Sequence, residues 1–245
     1  MSMQGLAIDS DVEASDKDIL AGGGFTKNTG IYDMIVDTAY MGKSAKGAVS
    51  VNLIFKSATA GDNTTFRQTL WVASGDSKGN KNYYVDKNNK KRLLPGMAQA
   101  DHISHICTGK PLATLTPEEK TIKLYDFDKK AEMPTKVAAL TELHGTKIKV
   151  GVHKIRANKV VKNQAGGYDD TAAERVYNEI DKVFFPDGMT LAEKRAEATE
   201  PKFVGKWLAK FNEEYVDDQY KAVAGSPTDA PLPDEDTAAV KDIFG

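Results

Sequence analysis

The sequence predicts a mainly β chain with helical additions, an α+β fold. Three observations predict it. Stretches in which apolar and polar residues alternate recur between Ile31 and Phe185. Helix signals interrupt them after Pro95 and follow them after Thr190. Turn-forming runs punctuate the series, above all Asp86-Lys87-Asn88-Asn89 and Asn163-Gln164-Ala165-Gly166-Gly167.

The elements follow in order. Residues 1–29 are polar, with Gly22-Gly23-Gly24 near the end, and read as a flexible N-terminal arm. Ile31 to Tyr40 is rich in β-branched and aromatic residues and reads as a strand. Ala48 to Phe55 alternates, with Val49, Val51, Leu53 and Phe55 opposite Ser50, Asn52 and Ile54. Thr65 to Ala73 does the same and sets Arg67 and Trp71 apart from Phe66, Leu70 and Val72. Asn82 to Val85 is a short strand, and Tyr83 and Tyr84 point to opposite faces of it. Pro95 to Thr108 is a helix ended by Gly109 and Pro111, with Met97, His102, Ile103 and Ile106 inward. Thr116 with Glu119 three residues on predicts a short capped helix. Thr121 to Asp128 returns to strand, and Lys136 to Leu143 reads as a further short helix. In Lys147 to Arg156, Ile148, Val150 and Val152 share one face, and Lys147, Lys149, Gly151 and His153 share the other. Ala173 to Phe185 reads as a strand closing a hairpin with Lys154 to Val161. Thr190 to Thr199 is a helix with Thr190 as cap and Glu193 three residues on. Phe203 to Tyr215 is an amphipathic helix with Phe203, Trp207, Leu208 and Phe211 on one stripe. Short strands with helices between and after them fit an OB-type β-barrel with inserted and C-terminal helices, spanning residues 30–222. Residues 223–245 are rich in Pro and Asp and read as a disordered acidic tail.

At 245 residues the chain is long enough for a substantial core. No apolar run approaches the roughly 18 residues of a membrane span. The single cysteine, Cys107, excludes a disulfide framework. Met1 to Leu20 is acidic and lacks a charged-then-apolar leader, so a reducing cytoplasm is the expected compartment. The net charge of −2 conceals a division along the chain. Gly75 to Arg92 carries Lys78, Lys81, Lys87, Lys90, Lys91 and Arg92 against Asp76 and Asp86. Thr146 to Asn163 carries Lys147, Lys149, Lys154, Arg156, Lys159 and Lys162 with no acid. Cations packed this densely repel one another, and a polyanion relieves the repulsion. Solvated lysine-rich hairpins are the plainer reading of the same pattern.

Motif searches remove most chemistry. Gly42-Lys43-Ser44 resembles the end of a phosphate loop, but Asp37 stands where that loop needs its first glycine. His102, His105 and Cys107 lie close together, yet His144 and His153 repeat no ligand spacing, so no metal is expected. Neither G-x-S-x-G nor H-E-x-x-H occurs. Asp126 and Asp128 flank Phe127 as a carboxylate pair, the one feature that suits a metal-dependent nuclease. What remains is aromatics among cations: Arg67, Trp71, Lys78, Lys81, Tyr83, Tyr84, Lys87, Lys90, Lys91 and Arg92. Flat rings stack on unpaired bases while cations track phosphates. Trp71 either belongs to the core or stands with Arg67 on the outer face.

Trp71-Val72-Ala73-Ser74-Gly75-Asp76-Ser77-Lys78-Gly79-Asn80-Lys81-Asn82-Tyr83-Tyr84, with Leu94-Pro95-Gly96 and Gly109-Lys110-Pro111-Leu112, resembles single-stranded DNA-binding proteins of tailed bacteriophages. So do Tyr125-Asp126-Phe127-Asp128 and Asn178-Glu179-Ile180-Asp181-Lys182-Val183-Phe184. The likeness covers about residues 30–212. It implies an OB-fold that coats single-stranded DNA in phage replication and recombination, without enzymatic activity or cofactor. The groove would then be lined by the first basic segment and by Lys147, Lys149, Lys154 and Arg156. The tail, with Asp234, Glu235 and Asp236 before Asp242, Ile243 and Phe244, would dock a phage polymerase, helicase or primase. Gly245 departs from the usual pattern, in which Phe comes last. Self-association is compatible with the sequence. Two alternatives stand beside this reading: a metal-dependent nuclease or other DNA-processing enzyme, and an interaction adaptor that binds no DNA.

Overall fold

The computed structural model describes residues 26–126, 129–163 and 167–223. The carboxylate pair at Asp126 and Asp128 and the tail residues from Asp234 to Phe244 lie outside the side chains so described. The chain is mainly β. In order it forms β1 (Gly30–Lys43), β2 (Val49–Ser57), β3 (Thr65–Ala73), β4 (Tyr83–Val85), β5 (Lys91–Leu93), α1 (Pro95–Thr108), β6 (Glu118–Asp126), β7 (Ala131–Ala139), β8 (Lys147–Lys162), β9 (Tyr168–Phe184), α2 (Leu191–Arg195), α3 (Lys202–Lys210) and β10 (Val216–Asp218).

One sheet holds everything except the β4–β5 hairpin, and its main path runs β10-β8-β1-β2-β3. β9 pairs with β8, β7 joins β1, and β6 pairs with β7. β1 is the pivot. Its first half pairs with β8 over Gly30 to Ile35, and Tyr40 and Met41 pair with β7. Against β2 its register shifts between Val36 and Thr38, so Asp37 is the extra residue of a bulge. Met34 and Val36 face the core before the bulge and Ala39 after it. The inner face of β2, with Val51, Leu53 and Phe55, packs on the same core. Phe66, Leu70 and Val72 of β3 and Ile148, Val150 and Val152 of β8 complete it.

The far ends of the sheet approach each other without a ladder. Ile180 N donates to Gln68 Oε1 at 3.2 Å, and Gln99 Nε2 donates to the Ile180 carbonyl at 3.0 Å. Side chains from β3 and α1 thus reach β9. α1 begins at Pro95, ends at Gly109 (φ 73°), and buries Ala100, Ile103 and Ile106. Its start lies against β3 so closely that a Cβ on Gly96 would fall 2.5 Å from the Trp71 carbonyl oxygen. Only glycine permits that approach.

Two predicted helices are strands. Thr116 caps nothing: β6 begins two residues later, and Glu119 pairs with Lys136 across the β6–β7 ladder at 3.1 Å. Lys136 to Ala139 belongs to β7, and only Thr141–Leu143 makes a single 3-10 turn. Pairing with β6 and β1 overrides the helix propensity of that alanine-containing stretch. The helix expected from Thr190 is real but short, and both halves of its capping box form. Glu193 also accepts from the backbone N–H of Lys202 and Phe203, at 2.8 and 2.7 Å, and so satisfies two of the free donors of α3 as well. α3 ends at Lys210, short of the predicted Tyr215, and of the expected stripe Trp207 is buried while Phe203 and Leu208 stay exposed. Of the predicted arm, residues 1–25 lie outside the described residues, and residue 29 is packed into the fold. Thr29 is fully buried, donating to the Tyr215 carbonyl at 2.6 Å and accepting from Lys154 N at 2.9 Å.

α3 lies on the outer face of β8. Trp207 comes within 3.1 Å of the position a Gly151 Cβ would occupy, and its ring stacks on His153 with centroids 5.4 Å apart. Its indole N–H donates to Asp181 Oδ2 at 2.7 Å. Phe211 and Tyr215 also pack against His153, at 4.4 and 5.2 Å. Trp207→Ala removes this buried anchor and is expected to cost about 3–5 kcal/mol in urea unfolding. Trp71→Ala, at an exposed strand position, should stay within about 0.5 kcal/mol of the parent in the same measurement.

Candidate nucleic-acid interface

The registers of β1, β2 and β3 set three rows on the outer face of the sheet. Gly42, Ser50 and Trp71 form the first, Tyr40, Asn52 and Thr69 the second, and Thr38, Ile54 and Arg67 the third. Trp71 is 48% exposed, which decides between its two predicted placements in favour of the outer face. Arg67 is exposed on the same face, about 13 Å along the strand at 3.3 Å per residue. Between them Thr69 Oγ1 donates to Asn52 Oδ1 at 2.9 Å, and Asn52 Nδ2 donates to Ser50 Oγ at 3.2 Å. A Cβ on Gly42 would lie 2.6 Å from Asn52 Nδ2 and 2.7 Å from Ser50 Oγ, so glycine leaves this polar row intact. Burial raises the Tyr40 phenol above its ordinary pKa, and the charge of Arg67 opposes the shift. The phenol therefore lies within the field of that guanidinium.

Lysines gather at the Trp71 end. The β1–β2 turn carries Lys43 and Lys46, and Asp76 N donates to the Lys46 carbonyl at 2.9 Å, tying that turn to the loop after β3. The loop then leads into the β4–β5 hairpin. Ser74 N donates to the Lys81 carbonyl at 2.8 Å, and Leu94 N to the Asn82 carbonyl at 2.9 Å, so the base of the hairpin is anchored beside the end of β3. Tyr84 and Leu93 are exposed on it, whereas Tyr83 is half-buried with Lys81 and Lys91 at 5.9 and 4.9 Å from its ring centre. Asp86 organises the turn. It accepts from the backbone N–H of Asn88 and Lys90 and from Arg92 Nε, all at 2.9–3.0 Å. The Lys90 backbone bond, then Arg92, hold its carboxyl below the usual range. Among the described residues, Lys43, Lys46, Arg67, Lys78, Lys81, Lys87, Lys90 and Lys91 pair with no carboxylate; Arg92 alone of the segment is engaged.

The second basic segment does not join this face. β8 is separated from β3 by β1 and β2 in the ladder. α3 covers its outer face at Gly151 and His153. Lys149 pairs with Asp33, and Arg156 pairs with Glu174 at 2.8 Å and Asp218 at 3.3 Å. Lys147 is exposed at a small cleft of about 280 Å³ beside Asp33 and Pro186. Lys154 is half-buried, its backbone N–H held by Thr29. The expected meeting of the two segments on one wall is therefore not found, because carboxylates and a helix occupy β8.

Tyr40, Asn52, Ile54 and Lys46 are the members of the face that sequence reasoning did not single out. The alternation of β2 already placed Asn52 and Ile54 away from the core. Tyr40 left no such signal, because the bulge at Asp37 reverses its side.

Among the described residues no group of three or more His, Cys, Asp or Glu side chains could hold a metal. His105 is engaged by Asp101 at 3.6 Å and Arg195 at 3.1 Å, and burial lowers the pKa of His102. Burial pushes the Cys107 thiol up to about 12. No described helix is long and apolar enough to cross a membrane. Comparison with protein-family models, with curated proteins and with solved structures finds no match.

A cleft opens at the Arg67 end of the face. It encloses about 820 Å³ between the start of β3 and β9, and Lys27, Asp62, Phe66, Arg67, Tyr177 and Asn178 line it. Asp62 is held at about 2, first by the hydroxyls of Thr64 and Ser57 and then by the Thr64 backbone N–H, with Lys27 adding its charge from 3.6 Å. Its folded pKa lies below the ordinary 3.8. The stability it contributes is therefore complete above about pH 4 and is lost as the pH falls toward 2. Asp62→Asn should lower the urea midpoint at pH 7, and the difference from the parent should vanish near pH 2.

Proposed function

We propose that this protein binds single-stranded nucleic acid, without sequence preference, on the outer face of β1, β2 and β3. One observation carries the reading. An indole 48% exposed shares an uncovered sheet face with Arg67, beside a hairpin and a turn whose lysines lack carboxylate partners. An exposed tryptophan costs water-contacting apolar area, and a base stacked on it removes that cost. Lysines on mobile stems neutralise phosphates at variable positions, which suits a partner of irregular backbone.

The connectivity supports an OB-type barrel as the scaffold. β1, β2 and β3 form a meander, α1 follows, and β8 and β9 return beside β1, with β9 bridged to β3 through Gln68. A five-stranded, partly open barrel of this kind binds oligonucleotides across its second and third strands. β6 and β7 are then an inserted hairpin on β1, and α3 and β10 are C-terminal additions. On this reading the protein coats exposed DNA strands in phage replication and recombination, performs no catalysis, and leaves its acidic tail for replication proteins.

Fluorescence titration with poly(dT) tests the proposal. Affinity should fall steeply between about 50 and 200 mM salt, because each neutralised phosphate releases counterions. Trp71→Ala should weaken binding by about 1–3 kcal/mol with the unfolding midpoint unchanged. Equal affinity for duplex and single strand, or cleavage of the strand in Mg²⁺, would overturn the reading.

A further inference from the structure

Arg67 belongs to two features at once. It stands four residues before Trp71 on the same outer face of β3, and it lines the 820 Å³ cleft between β3 and β9. Across that cleft stands Tyr177 of β9, half-buried, with the Arg175 guanidinium 4.7 Å from its ring centre. Tyr177 and Arg175 also line a second cleft of about 450 Å³ on the side of the β8–β9 hairpin, with Asn158, Val160 and Lys221. The two clefts share Tyr177 as a lining residue, and together they make the trough considered for a bound strand.

The charge of the trough is favourable to phosphate. Among the described residues Arg67, Arg175 and Lys221 pair with no carboxylate. Of the two acids that line it, Asp62 is occupied by three hydrogen-bonding groups and Lys27, and Asp170 stands at the far end. A guanidinium stacked on a phenol leaves its N–H edge free for a phosphate while the ring stays available to a base. Neither cleft is the dry, apolar enclosure that a small hydrophobic ligand needs. Both are open and rimmed by amides, hydroxyls and cations.

We infer that the trough receives the continuation of the bound single strand beyond Arg67, with Tyr177 as a second stacking ring and Arg175 as its phosphate partner. The inference rests on the binding face proposed above and extends it from three strands to five. A strand that occupies only the Trp71 end does not reach the trough, whereas a longer one enters it. Binding energy in the trough is therefore visible only in the length dependence of affinity.

The experiment is an anisotropy titration of the full chain with labelled oligothymidylates of about 4, 8 and 16 nucleotides, lengths that bracket one such domain. Tyr177→Ala and Arg175→Ala should each weaken the longest oligonucleotide about tenfold and leave the shortest unchanged, while Tyr177→Phe retains the parent affinity at all lengths. Trp71→Ala should weaken every length. Arg175 is exposed, so its variant keeps the test intact if Tyr177→Ala fails to fold. If both trough variants match the parent at every length while Trp71→Ala is weak, the trough is not used and the sheet face stands. Equal weakening at all lengths excludes the trough in the same way. If the parent binds no oligonucleotide, the face and the trough fall together.

Discussion

A single extra residue in β1 organises both sides of the sheet. A β-strand alternates strictly, so Met34, Val36, Thr38 and Tyr40 would all face the core if β1 were regular. The bulge at Asp37 breaks that count. Before it, Met34 and Val36 point inward and the other edge of the strand pairs with β8. After it, Ala39 points inward, Tyr40 turns outward, and that edge pairs with β7. Backbone contacts at the crossing hold the geometry: Val36 N donates to the Thr146 carbonyl, and Gly145 N donates to that of Val36. The strand therefore serves two partners on one edge, keeps one continuous core, and delivers an aromatic side chain to the exposed face.

What distinguishes the faces of this sheet is what covers them. The outer face of β8 receives Trp207, Phe211 and Tyr215 around His153, and Lys149 and Arg156 of that strand pair with Asp33, Glu174 and Asp218. No described helix packs on the outer rows of β1 to β3, and their neighbouring lysines are left without carboxylates. Cations paired on a surface contribute little to stability and little net field. Unpaired ones raise the local potential and carry a repulsion that an anionic partner relieves. The two basic segments look alike as text; in the first only Arg92 pairs with a carboxylate, in the second both Lys149 and Arg156 do.

Much of the molecule was legible in its sequence. β2 and β3 were readable from alternation because each buries mainly one face, and β8 because Ile148, Val150 and Val152 alternate with polar residues and glycine. α1 was readable from end to end because Pro95 and Gly109 are chemical stops, and α2 announced itself through a capping box that forms as written. The failures have a common cause. Lys136 to Ala139 pairs with the preceding strand and, through Ala138 and Ala139, with β1 far away in sequence, and Thr116 precedes a strand whose Glu119 finds a lysine on the neighbouring one. Local propensity cannot register either partner. The candidate site divides in the same way. Trp71 and Arg67 share a face by simple spacing, but Tyr40 joins them only through the bulge.

The sequence by itself determined the class of fold, the inward residues of the regular strands, and the concentration of cations around the β4–β5 hairpin. These follow from periodicity and composition, which are local properties. Tertiary structure alone decided that the two basic segments stand apart, because the strand ladder and the seat of α3 depend on groups far apart in the chain. It also decided where Trp71 points and what Arg67 borders. Exposure and the shape of a cleft belong to surfaces made by several segments at once, and no single stretch of residues encodes them.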